Sequence, residues 1–263
     1  MSRILAITNQ KGGVGKTTTS VNLAASLVAT KRRVLLVDLD PQGNATMGSG
    51  VDKNMLDVSG CEVLLGEVAA EDAIIPSGGA GYALLPANAD LTAAEVSLMT
   101  MPQSERRLHL ALEPVRDRYD YILIDCPPAL NMLTVNALVA ADGVIIPMQC
   151  EYYALEGLTA LLDTIEKIRT TLNFRLGIEG LLRTMFDPRN NLANDVSSQL
   201  VDHFGDKVYR TIVPRNVRLA EAPSHGLPAI HYDSRSQGAI AYLALAGEMI
   251  KKENRATVAG AAG

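Results

Sequence analysis

The stretch that decides the fold is a glycine-rich segment near the start of the chain, Lys11-Gly12-Gly13-Val14-Gly15-Lys16-Thr17-Thr18. It follows a strand-like apolar run at 3–8 and opens a helix-like segment at 16–29. Glycines at such a junction let backbone N–H groups turn inward around a phosphate, at a helix N-terminus that favours negative charge. Because Gly-Lys-Thr stands at the required offset, the stretch predicts the phosphate loop of a P-loop NTPase.

The side chains of this loop have separate predicted roles in binding ATP and Mg²⁺. Lys16 is expected to neutralise the β and γ phosphates, and the Thr17 hydroxyl to ligate the Mg²⁺ that bridges them. The backbone of residues 11–18 completes the predicted cofactor site. Lys11 stands at the start of the loop, where ordinary P-loops need no cation, and by itself it reads as an exposed surface lysine.

Two acidic strand ends complete the predicted phosphate site. One buried run ends in Asp38-Leu39-Asp40-Pro41, and another ends in Asp125 followed by two prolines. In an open α/β sheet, the carboxyl ends of parallel strands form the ligand-binding edge. We expect Asp40 to orient the attacking water and to approach Mg²⁺ through water, and Asp125 to hold Mg²⁺ through water. Asp38 is left between two roles, support of the magnesium shell or capping of the turn.

The pattern along the whole chain predicts an α/β fold, a mostly parallel twisted sheet covered by helices on both faces. The 263 residues, 48% of them hydrophobic, predict one domain over 1–255, followed by a disordered tail of small residues at 256–263. The region 44–80 is predicted to be loop with one short helix near 61–68. Strands are predicted at 3–8, 33–38, 81–86, 119–125, 142–147, 176–186 and 208–213. Helices are predicted at 16–29, 89–98, 104–116, 131–140, 154–171, 191–203 and 236–252.

Composition excludes several classes of protein. No apolar run is long enough for a membrane span and no signal segment is recognisable, which predicts a cytoplasmic protein. Cys61, Cys126 and Cys150 form no paired motif, so we interpret them as small buried hydrophobes. A net charge of -5 argues against a uniformly basic nucleic-acid binder but leaves room for a local basic patch.

The motifs together resemble the chromosomal-type ParA proteins, the Soj group, over nearly the whole chain. The resemblance rests on the deviant Walker A string that begins at Lys11 and on the segments 38–44, 119–128, 149–157 and 213–225. It implies an ATPase of weak basal activity in which Lys11 reaches across an ATP-sandwich homodimer to the partner's nucleotide. It further implies nonspecific binding of double-stranded DNA, nucleoid association, and stimulation by a ParB-like centromere-binding protein during chromosome or plasmid segregation. Pro214 and Asn216 are assigned to the adenine base on the same resemblance.

A local basic run supports the expected DNA binding. Between residues 207 and 220 there is no acidic residue, and the basic ones are Lys207, Arg210, Arg215 and Arg218. Arg183 and Arg189 precede this run. Surface arginines are often merely solvated, but the resemblance favours a phosphate-binding surface. The predicted DNA-binding residues are Arg189, Arg218, Lys207 and Arg183, while Arg215 lies beside the expected base segment.

Other readings stay open or are disfavoured. A MinD-like membrane ATPase would need a basic amphipathic C-terminal segment, whereas Lys251, Lys252 and Arg255 are followed only by small residues. An iron–sulfur reductase would need paired cysteines. A ParA-like positioning ATPase for another cargo, acting as a scaffold, remains open. Tyr152 and Tyr153 are interpreted as core or seam packing rather than as stacking platforms for bases.

Overall fold

A single eight-stranded sheet organises the chain. The computed structural model describes the backbone of residues 2–152 and 154–261, with side chains as far as Arg255. The strands are β1 (Arg3–Ile7), β2 (Val34–Asp38), β3 (Ile75–Pro76), β4 (Ala83–Leu85), β5 (Tyr121–Asp125), β6 (Gly143–Met148), β7 (Gly177–Phe186) and β8 (Val208–Pro214). Their order is β3-β4-β2-β5-β1-β6-β7-β8, with β3 antiparallel to β4 and the remaining pairs parallel. The predicted mostly parallel α/β fold is confirmed, each of the seven predicted strands lying within two residues of its expected ends.

Helices cover both faces of this sheet. They are α1 (Lys16–Ala29), α2 (Asn44–Gly48), α3 (Gly60–Leu65), α4 (Ala70–Ala73), α5 (Leu91–Leu98), α6 (Arg107–Leu112), α7 (Met132–Ala140), α8 (Ala154–Thr171), α9 (Asn191–Phe204), α10 (Val217–Glu221), α11 (Ala229–Tyr232) and α12 (Gln237–Ala261). Of the predicted tail at 256–263, the described backbone places 256–261 in the last turns of α12. The side chains of 256–263 and the backbone of residues 262 and 263 lie outside the described part of the chain. No helix of the described residues is both long and apolar enough to cross a bilayer.

Two of the predicted elements need correction. The expected helix at 104–116 is broken into α6 between two 3-10 segments, Ser104–Arg106 and Glu113–Arg118, because Pro114 has no N–H to continue the ladder. The region 44–80 is not mainly loop, since it contains α2, α3, α4 and β3. Elements of two to six residues are too short to show a hydrophobic period, so the pattern could not reveal them.

The core lies in two layers, one on each face of the sheet. On β1, Ile4 and Ala6 pack into one cluster, whereas Leu5 and Ile7 pack into the other. This alternation on a strand buried on both sides explains its continuous apolar sequence. The three cysteines are free and buried, as predicted. Because β1, β2 and β5 are parallel neighbours, their carboxyl ends meet at one edge, and Asp38 lies opposite Asp125 in the register.

Candidate nucleotide site

The phosphate loop connects β1 to α1 at this edge. Gly13 and Gly15 have φ of 74° and 85°, a left-handed conformation that favours glycine. Gly15 is the N-cap of α1, and within the described chain no side chain caps this helix end. The first N–H groups of a helix have no intrahelical partner and form an anion site. The loop and the start of α1 therefore present backbone donors to a phosphate.

The side chains of Lys16 and Lys11 differ in burial and in hydrogen-bond partners. Lys16 is 7% exposed, and its Nζ donates to the Lys11 carbonyl oxygen over 3.1 Å. Burial lowers the pKa of Lys16, and the Asp125 carboxylate is the largest of the charges that oppose this shift. Lys11 instead extends along the surface, where its Nζ lies 2.5 Å from Glu151 Oε2. One lysine is therefore directed into the phosphate loop and the other away from it.

Asp125 ends β5 as a buried carboxylate with one unused oxygen. Its side chain is fully buried, and Oδ1 accepts a hydrogen bond from Ser20 Oγ over 2.7 Å. Oδ2 has no hydrogen-bond partner among the described residues. Burial raises the pKa of Asp125 and the Asp38 carboxylate raises it further, whereas hydrogen bonds from Ser20 and Thr17 lower it. A buried carboxylate oxygen left open at the end of β5 fits a metal held through water.

The rest of the protein environment also fits Mg²⁺. In the described residues no group of three or more His, Cys, Asp or Glu side chains could hold a metal by itself. Mg²⁺ needs no such cage, because it keeps several waters and takes oxygens from nucleotide phosphates. The residues that would hold it are Thr17 and, through water, Asp125 and Asp40. When bound, the ion supplies positive charge that neutralises the phosphate oxygens.

Asp40 and Asp38 differ in how many hydrogen bonds their carboxylate oxygens accept from the protein. Asp40 is 8% exposed and Oδ1 accepts from the Gln42 amide over 2.9 Å. Asp38 is fully buried, and both of its oxygens accept hydrogen bonds, Oδ1 from Asp40 in the loop that follows β2 and Oδ2 from Thr46 in α2. Of the two roles considered for Asp38, capping of the turn matches these contacts. Of these two carboxylates only Asp40 keeps a small exposed fraction, which suits contact with water.

The structure adds residues that sequence reasoning missed. The Thr184 hydroxyl on β7 donates to the Val14 carbonyl oxygen over 2.8 Å, which ties the loop to a second strand. Asn9 accepts from the Lys11 amide and donates to the Pro147 carbonyl oxygen, over 2.9 and 2.8 Å. Asn9 lies two residues before the glycine-rich motif that begins at Lys11, so its role in holding the loop could have been predicted from the sequence. Thr184 and Ser20 gave no such signal, because their contacts exist only in three dimensions.

The predicted base segment follows β8. Pro214 ends this strand and pairs with Phe186 of β7. Asn216 is the N-cap of α10, and its side-chain oxygen accepts from the Arg218 amide over 3.1 Å. The assignment of Pro214 and Asn216 to the adenine base stays a prediction.

The predicted DNA-binding residues separate into two groups. Arg183 is 8% exposed and donates to Ser197 Oγ and to the carbonyl oxygens of Tyr209 and Arg210. Its assignment to a DNA surface is wrong, because a guanidinium that is buried and bonded inside the protein cannot meet a phosphate. Lys207 is exposed, as are the side chains of Arg189 and Arg218, which form ion pairs with their own neighbours.

The two tyrosines just before α8 are only partly described. Tyr152 is 73% exposed, so the interpretation as core packing is wrong for it, while packing at a dimer seam stays a prediction. Tyr153 lies outside the described residues.

The geometry defines a class of protein, the P-loop nucleotide-hydrolysing enzymes. Its features are a glycine loop between a parallel strand and a helix, a buried lysine, and acidic residues at the ends of neighbouring strands.

A family model described as an AAA domain matches residues 2–178. The chain is 54% identical to the sporulation initiation inhibitor protein Soj of Bacillus subtilis, over 95% of this chain and 98% of that one. It is 50% identical to the chromosome partitioning protein ParA of Caulobacter vibrioides, over 95% of each chain.

A solved structure with nucleotide and metal is similar to this fold. Cobyrinic acid a,c-diamide synthase from Mycobacterium smegmatis, bound to an ATP analogue and magnesium, has a TM-score of 0.85 and 39% identity, covering 97% of this chain and 96% of that one. The chain belongs to the Soj/ParA family of chromosome-partitioning ATPases. The predicted cofactors, ATP and Mg²⁺, agree with the ATP analogue and magnesium bound in that solved structure.

Proposed function

We propose that this ATPase is a DNA-partition switch, in which ATP joins two copies into a sandwich dimer that binds DNA without sequence preference. A ParB-like partner then stimulates hydrolysis and release. The observation that carries the proposal is the arrangement of the two loop lysines. Lys16 is buried in its own loop, whereas the Lys11 side chain is 43% exposed and points away from it. An exposed ammonium at the rim of a phosphate site supports contact with a second copy's nucleotide.

Charge links dimerisation to the nucleotide. Two ATP molecules facing each other across a seam repel, and a lysine from each protomer offsets this repulsion with charge-assisted hydrogen bonds. In this cycle Lys16 and Thr17 hold the phosphates and Mg²⁺, Lys11 crosses to the partner site, and Asp40 orients the attacking water. Loss of the γ-phosphate removes the group that Lys11 binds. Dimerisation and nucleotide state therefore form one linked equilibrium.

The proposed DNA contacts are Arg189, Lys207 and Arg218. Arg189 and Arg218 lie 2.8 and 2.7 Å from the carboxylates of Asp187 and Glu221. Exposed ion pairs of this kind are weak because water screens them, so a DNA phosphate can replace the carboxylate. Phosphate contacts give affinity without base readout, and each adds to the salt dependence. One protomer makes few such contacts and binds DNA weakly, whereas the dimer has twice as many. DNA, and hence the nucleoid, would therefore retain only the ATP-bound dimer.

The decisive experiment measures ATP hydrolysis with and without nonspecific duplex DNA and the ParB-like protein of the same organism. A large rise in rate that needs both supports the partition switch. No rise, with DNA still bound, would favour a positioning ATPase for another cargo.

DNA binding is tested separately with Arg189→Glu. We expect this variant to retain the ATP-dependent dimer and to lose DNA binding. Arg175→Glu is the matched control, because Arg175 is also exposed but precedes β7, whereas Arg189 follows the opposite end of that strand. Parent-like DNA binding by Arg189→Glu would show that the DNA surface is elsewhere.

A further inference from the structure

Protein donors occupy both carboxylate oxygens of Asp38. Oδ1 accepts from the Asp40 amide over 3.2 Å, and Oδ2 accepts from the amide and the hydroxyl of Thr46 over 2.7 and 2.8 Å. Asp125, its neighbour in the register, instead keeps one oxygen without a partner among the described residues. The two buried carboxylates therefore have different partners, and Asp38 binds the segment that carries Asp40.

The Thr46 hydroxyl is the central group of this network. Thr46 is fully buried in α2, and its Oγ1 both donates to Asp38 Oδ2 and accepts from the Ala87 amide over 2.9 Å. A hydroxyl has one proton, so donation to the carboxylate leaves its lone pairs for Ala87 and fixes the direction of both bonds. Since Asp38 ends β2 and Ala87 follows β4, the hydroxyl connects the ends of two neighbouring strands.

The loop with Asp40 lies between these fixed points. At its start, the Asp40 amide is held by Asp38. At its end, Gly43 has φ of 58°, and a Cβ added there would lie 2.6 Å from the Ala87 carbonyl oxygen. The Gly43 amide also donates to the Asp40 carbonyl oxygen over 2.8 Å. The loop backbone is thus pressed against the same residue, Ala87, whose amide binds Thr46.

We propose that Thr46 is a positioning residue for ATP hydrolysis: its hydroxyl orients Asp38 and the exit of β4, and these hold the loop that presents Asp40 to the attacking water. This inference rests on the proposed role of Asp40. Thr46 touches neither nucleotide nor water in this scheme and acts through geometry. Small displacements of a reacting group cost large factors in rate, so the absence of one buried hydroxyl is expected to show in kcat.

The test compares Thr46→Val, which keeps the shape and removes the hydroxyl, with Thr46→Ser, which keeps the hydroxyl. Hydrolysis of MgATP by the full chain is measured with saturating duplex DNA and the ParB-like protein of the same organism. For Thr46→Val we expect kcat to fall about tenfold or more while KM changes less than about twofold, because the phosphate loop is untouched. Thr46→Ser is expected to restore kcat to near the parent value. Thr46→Cys, with a weak S–H donor, provides a second variant with lowered kcat if the valine form does not fold.

Single-turnover hydrolysis in an Asp40→Ala background separates the two claims. If Thr46 acts through Asp40, adding Thr46→Val to Asp40→Ala lowers the rate no further. Any of four results would overturn the inference. The effects of Asp40→Ala and Thr46→Val on the rate could multiply, or kcat could be unchanged in both Thr46→Val and Thr46→Cys. Likewise, a rise in KM could account for the loss, or Thr46→Ser could fail to recover the rate. Parent-like hydrolysis by Asp40→Ala would instead overturn the proposed role of Asp40 itself, and the inference with it.

Discussion

Lys11 and Glu151 form an ion pair that connects the phosphate loop to the segment before α8, with 2.5 Å between Nζ and Oε2. Both side chains are about half exposed, at 43% and 51%. In the proposed dimer Lys11 binds the partner's nucleotide, so this pair has to break when the dimer forms. In the single chain, Lys11 is therefore held in an ion pair that competes with formation of the dimer.

Glu151→Gln should favour the ATP-dependent dimer. An exposed pair is worth about 0.2–1 kcal/mol and two such pairs break in each dimer, so the dimer dissociation constant should fall by about twofold to thirtyfold. Analytical ultracentrifugation with ATP and Mg²⁺ measures it, with Glu156→Gln on the exposed side of α8 as control. A weaker dimer in Glu151→Gln would mean that Glu151 supports the seam rather than competing with it.

The two loop lysines should give different defects. Lys16→Ala should abolish ATP binding, because its ammonium is the buried charge of the phosphate loop. Lys11→Ala should keep ATP binding in the single chain and lose the dimer, because its ammonium lies outside that loop. Titration calorimetry and sedimentation on the same samples separate the effects, and equal loss of ATP binding in both variants would contradict this division.

Asp40→Ala should trap the ATP dimer on DNA. The variant retains Lys16, Thr17 and Asp125, so nucleotide and Mg²⁺ should bind, while the water loses its orienting carboxylate. We expect DNA retention to persist after the parent has released. The measurement is filter retention of duplex DNA over time after excess ATP is removed, and release at the parent rate would place the catalytic carboxylate elsewhere.

Asp125→Asn should make the ligand-free protein more stable and a poorer ATPase. Burial and the Asp38 carboxylate raise the pKa of Asp125 from 3.8. A raised pKa means that the folded state holds a proton which the unfolded chain has released, so stability falls as pH rises from about 4 towards the folded-state value. The amide removes this fall, so its stabilising effect should grow with pH in that range.

The size of this stabilisation can be measured by thermal unfolding. A gain of about 1 kcal/mol corresponds to roughly 2–4 °C in Tm for a chain of this size. Asp117→Asn, at an exposed position, is the control and should leave Tm unchanged. A lower Tm for Asp125→Asn without ligands would show that the carboxylate stabilises the fold, contrary to its burial without a partner on Oδ2.

Much of the sheet was predictable because its strands are buried on both faces. A strand such as β5, Tyr121–Asp125, is apolar throughout and ends in the acid, so composition alone locates it. The helix α1 starts at Lys16 as predicted, because the glycines before it disfavour helix and its second half, 23–29, is rich in Leu and Ala, which favour it. By contrast α2 has five residues and depends on Asp38 and Thr46, which are eight positions apart in sequence.

The sequence by itself determined the class of site, since Gly15, Lys16 and Thr17 must be consecutive for one loop to surround a phosphate. It also placed acids at the ends of β2 and β5. Only the tertiary structure decided how these groups divide their work: Asp38 is occupied by Thr46, Asp125 keeps an open oxygen, Arg183 is buried and Lys11 pairs with Glu151. The physical reason is that burial and hydrogen-bond partners come from residues distant in the chain, and these set which oxygen, amine or guanidinium remains available for a ligand.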